Sequence, residues 1–254
     1  MTDRALTPQE EIALLKQQLA DAQKLTALGE LLGTTTHEFN NILMMVINYA
    51  KMGLRHQDEA TRTKSLEKIL GAGERAAKIT QSVLGMARNR QGRMEPTSLS
   101  ELVEQTMVLL ERELSKYRIM VELDLPAVPL AICEANQIQQ VLVNLLINAR
   151  QAIGEGGSVL VRLAHDTQHN TVDLTVRDTG PGISQDKLRR IFDPFFSTKS
   201  GPDASGKGGT GLGLSACRDI IESHRGRIRV ESTVGKGTAF TIKLPAADAA
   251  EHAA

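Results

Sequence analysis

Apolar side chains recur at spacings that alternate between three and four over residues 12–87, with one phase slip near residues 22–28 and one polar interruption at residues 55–63. An α-helix turns once every ~3.6 residues, so each run places its apolar side chains along one face. The sequence therefore predicts two amphipathic helices joined by a turn. A lone hairpin would leave its apolar stripe in water, so we expect two hairpins to pair as a four-helix bundle in a homodimer. The stripe positions are Ile12, Leu15, Leu19, Ala22, Leu25, Leu28, Leu32, Thr35, Phe39, Ile42, Val46 and Tyr49, then Leu66, Ile69, Gly73, Ala76, Thr80, Val83 and Ala87.

The hydrophobic period changes after a polar linker at residues 91–97. Ser98 and Glu101 have the spacing of a capping box that opens a helix to about Leu114. Beyond it the pattern predicts helices at 134–153 and 210–224 and strands at 118–125, 159–163, 172–176, 227–231 and 238–244. We therefore predict an α+β chain, with a helical-hairpin dimerisation domain followed by an α/β sandwich. The expected division is an N-terminal helical or coiled-coil segment (1–24), the hairpin domain (25–90), the linker (91–97), the sandwich (98–246) and a disordered tail (247–254).

Charge and cysteine content exclude several classes of protein. Thirty basic residues balance thirty acidic ones, which gives no electrostatic reason to expect nucleic acid or an anionic membrane as partner. Cys133 and Cys217 lack metal-ligand spacing and suit a reducing, cytoplasmic compartment. The sequence has no apolar run of the ~18 residues needed to suggest a membrane span, and its first residues lack a signal-peptide pattern.

Two glycine clusters, at residues 178–183 and 208–215, are candidates for binding phosphate or nucleotide. Glycine lets backbone N–H groups approach a ligand closely, and the second cluster opens a predicted helix, whose N-terminus favours anions. Asp178 follows a predicted strand at the mouth of the first cluster, and a buried carboxylate is a good acceptor for an adenine amino group. Such a glycine pattern alone is equally typical of an ordinary loop.

The long helix predicted at residues 134–153 places Asn144 and Asn148 one turn apart on the same face. Their amide oxygens could ligate Mg²⁺ beside phosphate oxygens, or both amides could belong to a buried hydrogen-bond network. Between the glycine clusters, residues 191–199 hold three of the five phenylalanines, and the next eight residues are rich in Gly, Ser and Lys. This segment is typical of an apolar hinge with a mobile lid, or of a core plug beneath a loop.

In this order, the motifs resemble those of the ATP-binding domain of histidine kinases, in the superfamily that includes gyrase, Hsp90 and MutL. The matching positions are Asn144 and Asn148 (N box), Asp178, Gly180 and Gly182 (G1 box), Phe192, Phe195 and Phe196 (F box), Gly209, Gly211 and Gly213 (G2 box), and Gly237 with Thr238. The resemblance implies ATP and Mg²⁺ as cofactors, with Asn148 and Asn144 ligating the metal and Asp178 accepting the adenine amino group. It places Phe192, Lys199, Thr210, Leu212 and Thr238 in the same nucleotide site. Lys207 is an alternative phosphate contact, whereas Gln151 and Arg150 depart from the family pattern and receive no role.

A helical wheel places His37 opposite the stripe that contains Leu32, Phe39 and Ile42. This predicts an exposed histidine, which by itself is usually an ordinary surface residue. The segment His37-Glu-Phe-Asn-Asn41 resembles the phosphoacceptor box of histidine kinases. The resemblance implies that His37 is the nucleophile, that Glu38 holds or takes its proton, and that Asn41 supports a phosphatase activity. Ile42 stands where the more common box has proline.

Together the two resemblances imply a sensor histidine kinase of a two-component system. Such an enzyme would autophosphorylate His37 with ATP and pass the phosphoryl group to an aspartate of a response regulator receiver domain, with a sensory input module lying elsewhere. The hydrolysing relatives carry glutamate as general base where this chain has Asn144, which cannot take a proton. Three alternatives are a conformational ATPase, a serine kinase for an anti-sigma-type partner, and a dimeric scaffold with a vestigial ATP site.

Overall fold

A computed structural model describes residues 36, 39–56, 58–87, 93–197 and 211–247 of the chain. The predicted N-terminal segment 1–24 and the tail beyond residue 247 lie outside these ranges. Helix α1 spans residues 39–55 and helix α2 spans Glu59–Ala87. Asp58 accepts a hydrogen bond from the Thr61 backbone N–H (2.8 Å), so it caps the first turn of α2. Because this cap lies inside the polar segment 55–63, the turn of the hairpin is shorter than the sequence predicted.

The buried face of α2 coincides with only part of the predicted stripe, whose Ile69 and Ala76 are half-buried. Ser65, Ala72 and Ile79 are buried at seven-residue intervals, whereas Leu66 is 66% exposed. A Cβ added at Gly53 of α1 would lie 3.3 Å from the Ser65 Cβ, which shows how closely the helices approach there. The chain's own packing therefore uses Ser65, Ala72 and Ile79 of α2. A second apolar face, made of Leu43, Ile47, Leu54, Leu66 and Leu70, remains exposed.

The sandwich consists of helices laid on one five-stranded sheet. Its elements are α3 (Leu99–Lys116), β2 (Ile119–Asp124), α4 (Ala135–Ile153), β4 (Gly157–Asp166), β5 (Thr171–Asp178), α5 (Gln185–Leu188), α6 (Gly213–Ser223), β6 (Arg227–Thr233) and β7 (Gly237–Pro245). The strand order is β2-β4-β5-β7-β6, with β2 parallel to β4 and all other neighbours antiparallel. Helix α3 packs on β2, α4 on β4 and β5, and α6 on β6.

A two-stranded sheet that the sequence did not predict joins the linker to the sandwich. Strand β1 (Glu95–Thr97) pairs antiparallel with β3 (Ala131–Cys133). The end of the predicted linker 91–97 is therefore a strand. A strand of three residues is too short for its polar and apolar side chains to show a recognisable alternation. Whether such a strand forms depends on the strand with which it pairs.

Helix α4 lies between α3 and α6, and its Val141, Leu142 and Leu146 are fully buried. The hairpin packs on this domain through α2, which contacts α3 and α4. An ion pair of 3.1 Å joins the Arg75 guanidinium of α2 to the Glu111 carboxylate of α3. The predicted α+β class, a hairpin followed by an α/β sandwich, is confirmed. None of the helices described combines the length and apolarity required to cross a bilayer.

Candidate functional site

Asp178 ends strand β5 and is only 4% exposed. Its Oδ1 accepts hydrogen bonds from the backbone N–H groups of Gly180 (2.8 Å) and Thr238 (3.2 Å). Burial raises the pKa of this carboxyl group, and the two hydrogen bonds oppose that shift. Since both of these donors use Oδ1, Oδ2 can accept a hydrogen bond from a ligand.

The β6–β7 hairpin holds the loop that follows Asp178. The Ser232 hydroxyl accepts from the Ile183 N–H (2.8 Å) and lies 3.0 Å from the Thr238 hydroxyl. Gly182 has φ +72°, and a Cβ there would overlap the Thr233 carbonyl oxygen. Only glycine permits this backbone approach, which explains the second glycine of the cluster in structural terms.

The same loop packs on α4, the helix that carries the two asparagines. A Cβ at Gly180 would lie 2.9 Å from Asp178 Oδ1 and 3.2 Å from the Ala152 Cβ. Ala152 follows Asn148 by four residues, so it lies one turn along the same face of α4. The structure thus brings Asp178, Gly180, Gly182, Thr238 and Asn148 into one region.

Asn144 and Asn148 are both half-buried on α4. The Asn144 Nδ2 donates to the Cys217 Sγ of α6 at 3.8 Å. Cys217 is completely buried, and this burial raises the pKa of its thiol to about 12. The thiol is therefore neutral at physiological pH. The hydrogen bond from Asn144 to Cys217 directly connects α4 to α6, the helix that follows the second glycine cluster.

The phenylalanine segment lies against the start of α6. Phe192 packs edge-on to Phe240 (6.4 Å between ring centroids), with the Arg218 guanidinium 5.8 Å from its ring centroid. Phe195 has φ +64°, and a Cβ at Gly211 would overlap its backbone. Leu212 immediately precedes α6, which begins at Gly213. Part of the predicted hinge is thus in contact with the predicted phosphate loop.

Arg150, which the family pattern left without a role, has structural partners. Its guanidinium lies 3.6 Å from the Glu113 carboxylate and 4.8 Å from the Tyr117 ring centroid. These contacts tie α4 to the C-terminal end of α3.

Several predicted residues lie outside the described part of the chain: His37, Glu38, Lys199, Lys207, Gly209 and Thr210. Asn41 is half-buried on α1. Sequence reasoning missed Ser232 and Cys217. Ser232 pairs with Thr238 in the β6–β7 register, so correct hairpin pairing could have identified it. Cys217 gave no such signal, because a thiol on an apolar helix is typical of a core residue.

The residues suit a nucleotide with its metal. Gly180 lies so close to α4 and to Asp178 that a side chain at this position would collide with them. The buried Asp178 carboxylate offers an acceptor for a hydrogen bond from a nucleotide base. Among the described residues no cluster of His, Cys, Asp and Glu could hold a metal by itself. The amide oxygens of Asn144 and Asn148 are ligands that suit Mg²⁺ when phosphate oxygens complete its shell.

Comparison with known proteins gives two matches to family models. Residues 133–248 match the family described as histidine kinase-, DNA gyrase B-, and HSP90-like ATPase. Residues 27–92 match the His Kinase A (phospho-acceptor) domain.

Similarity to individual proteins covers both regions. The chain is 33% identical over 232 residues to the signal transduction histidine-protein kinase AtoS of Escherichia coli, covering 91% of this chain and 37% of AtoS. It spans about a third of the length of curated relatives of this kind. Its fold is similar to the catalytic domain of histidine kinase ThkA (TM-score 0.53, 32% identity, 60% of this chain and 97% of that one). It is also similar to ThkA solved in complex with the response regulator protein TrrA (TM-score 0.52, 26% identity, 97% and 68%).

Proposed function

This chain belongs to the sensor histidine kinases of two-component systems, and we propose that it uses Mg-ATP to phosphorylate His37 and then passes the phosphoryl group to an aspartate of a response regulator. The observation that carries the proposal is the buried Asp178 carboxylate, held by Gly180 and Thr238 and packed beside the asparagine face of α4. The hairpin whose first helix carries Asn41 contacts the same domain through α2.

In this proposal adenine binds at Asp178. The Oδ2 of the carboxylate accepts the adenine amino group, while Oδ1 keeps its bonds to the backbone. A hydrogen bond to a buried carboxylate distinguishes the amino group of adenine from the oxo group of guanine or hypoxanthine. Thr238 and Phe192 complete the base-binding part of the site.

The phosphates lie toward the N-terminus of α6 in this proposal. Gly209, Thr210, Gly211, Leu212 and Gly213 supply backbone N–H groups to the phosphates, and Lys199 supplies positive charge. Asn148 and Asn144 hold Mg²⁺ through their amide oxygens. When bound, the metal neutralises charge that develops on the transferred group.

His37 is the proposed acceptor. Its neutral imidazole attacks the γ-phosphorus through one nitrogen, and Glu38 holds or takes the proton of the other. The bond from the γ-phosphorus to the β–γ bridging oxygen breaks, and ADP leaves. Asn144 cannot take a proton from water, so the site lacks the general base that hydrolysing relatives have at this position. The γ-phosphoryl group is therefore transferred to the histidine and not to water.

We further propose that the chain works as a homodimer in the cytoplasm under the control of a sensory input module. The exposed apolar face defined by Leu43, Ile47, Leu54, Leu66 and Leu70 supports pairing of two hairpins. The ThkA structure with a response regulator supports a receiver domain as partner. A receiver domain would receive the phosphoryl group from His37 of the assembled bundle.

The proposal is tested by incubating the full chain with γ-labelled Mg-ATP and examining the stability of the protein-bound label. We expect label that is lost in acid and kept in alkali, and that is absent from His37→Ala and Asn148→Ala. A matched control is His56→Ala, which removes an exposed histidine at the hairpin turn and should leave labelling unchanged. Free phosphate released equally by wild type and His37→Ala, with no protein-bound label, would favour a conformational ATPase.

Asn41 supports a second activity of the same enzyme, the dephosphorylation of the regulator. An amide one turn after the histidine could position water against the acyl phosphate of the partner. We expect Asn41→Ala to retain autophosphorylation and lose dephosphorylation of a phosphorylated receiver domain. Its exposed neighbour provides the control, because Asn40→Ala should keep both activities.

A further inference from the structure

The contact between Asn144 and Cys217 determines how the asparagine amide is oriented. Cys217 Sγ lies 4.0 Å from the Val141 carbonyl oxygen and 3.8 Å from Asn144 Nδ2. A neutral thiol has a single proton, and the Val141 carbonyl oxygen can accept it. Toward Asn144 the sulfur then acts as the acceptor of the hydrogen bond from Nδ2.

An acceptor at this position selects one of the two amide orientations. The Asn144 nitrogen faces the sulfur, because the oxygen would place two acceptors against each other. The Oδ1 is thereby turned away from Cys217. Cys217 is fully buried inside the α4–α6 contact, so water does not compete for this bond.

We propose that Cys217 is a positioning residue, whose buried thiol holds the Asn144 amide so that Oδ1 is presented to the magnesium ion of Mg-ATP. This inference rests on the proposed function. A side chain at position 217 that only filled space would leave the Asn144 amide free to rotate between two orientations. One of these would present its NH₂ group to the cation. Cys217 thus connects α6 to the metal-binding face of α4.

The experiment measures the affinity of the full chain for ATP, with Mg²⁺ and with a chelator, by calorimetry. We expect Cys217→Ala to weaken Mg-ATP binding about fivefold, the effect of losing one hydrogen bond, and to leave metal-free ATP binding unchanged. Cys133→Ala is the matched control, because it removes another fully buried thiol, on β3. Its affinity for Mg-ATP should equal that of the wild type.

A double-mutant cycle separates positioning from packing. In an Asn144→Ala background the Cys217→Ala change should have no further effect on Mg-ATP affinity, because the amide to be oriented is gone. Cys217→Ser retains an acceptor and should recover affinity toward the wild-type value. An equal loss in both backgrounds, or no loss in either, would overturn the assignment. A wild-type chain that failed to bind Mg-ATP would instead overturn the proposed function.

Discussion

Replacing Asp178 with asparagine changes a single oxygen into an NH₂ group at the proposed base-binding position. The Oδ1 of asparagine can accept the bonds from Gly180 and Thr238 that Asp178 accepts at 2.8 and 3.2 Å. Burial raises the pKa of Asp178, which means that ionising it disfavours the folded state at neutral pH. We therefore expect Asp178→Asn to be at least as stable as the wild type in urea at about pH 7, with the wild type gaining relative stability as the pH falls toward its ordinary pKa of 3.8.

The expected loss of ATP affinity is large because the side-chain NH₂ of the introduced asparagine would face the amino group of adenine, and both groups are hydrogen-bond donors. Losing a hydrogen bond to a charged acceptor costs about 1.5–3 kcal/mol, and leaving buried donors unpaired costs about 1–3 kcal/mol more. A combined loss of about 2.5–6 kcal/mol corresponds to a roughly 70- to 25,000-fold weaker affinity for ATP.

Calorimetric titration with ATP and with inosine triphosphate provides the assay. Hypoxanthine carries an oxo group where adenine carries the amino group, so the side-chain amide introduced by Asp178→Asn could donate to it. Wild type should prefer ATP, and Asp178→Asn should lose or reverse that preference. An equal loss of affinity for both nucleotides, in a variant that remains folded, would refute the placement of adenine at this carboxylate.

Further predictions concern stability. In Gly237→Ala the new Cβ would overlap the Asp178 carbonyl oxygen at φ +109°, so we expect its free energy of unfolding in urea to fall by more than the ~1 kcal/mol typical of a Gly-to-Ala change at positive φ. Gly235→Ala, at φ +81° in open space, should show only that smaller cost, and equal losses would contradict the close approach. Hydrogen bonds from Lys243 and then His169 hold the pKa of Asp166 well below its usual range, so the stabilisation they provide is present above pH 3.8 and lost as the pH falls further. The stability difference between wild type and Asp166→Asn should therefore shrink as the pH falls through 3.8 and below, and a difference that stayed constant there would show that the carboxylate's charge is irrelevant.

The sequence predicted those elements whose pattern is long enough to define a period. Helix α4 and strands β4 and β5 followed from runs of apolar residues, and Ser98 was recognised as the cap of α3, where the structure shows its hydroxyl accepting from the Glu101 N–H. Thr238 lies beside the G1 box because the pairing of β5 with β7 places it opposite Asp178.

Features that depend on non-local contact could not be predicted. Strand β1 exists through its pairing with β3, and the buried face of α2 is set by how closely Gly53 and Ser65 approach. The orientation of Asn144 depends on Cys217, which lies on another helix far along the chain. A single sequence shows which side chains are present, but such pairs arise only when the helices pack.

The most direct test of the account is to locate the phosphoryl group after reaction of the full chain with Mg-ATP. The protein would be digested and analysed by mass spectrometry under alkaline conditions, which preserve phosphohistidine, while free phosphate is measured in the same sample. The account predicts a phosphoryl group on His37 that appears faster than free phosphate, and its loss in the Asn148→Ala variant. Phosphate on another residue, or release of free phosphate with His37 unmodified, would contradict it.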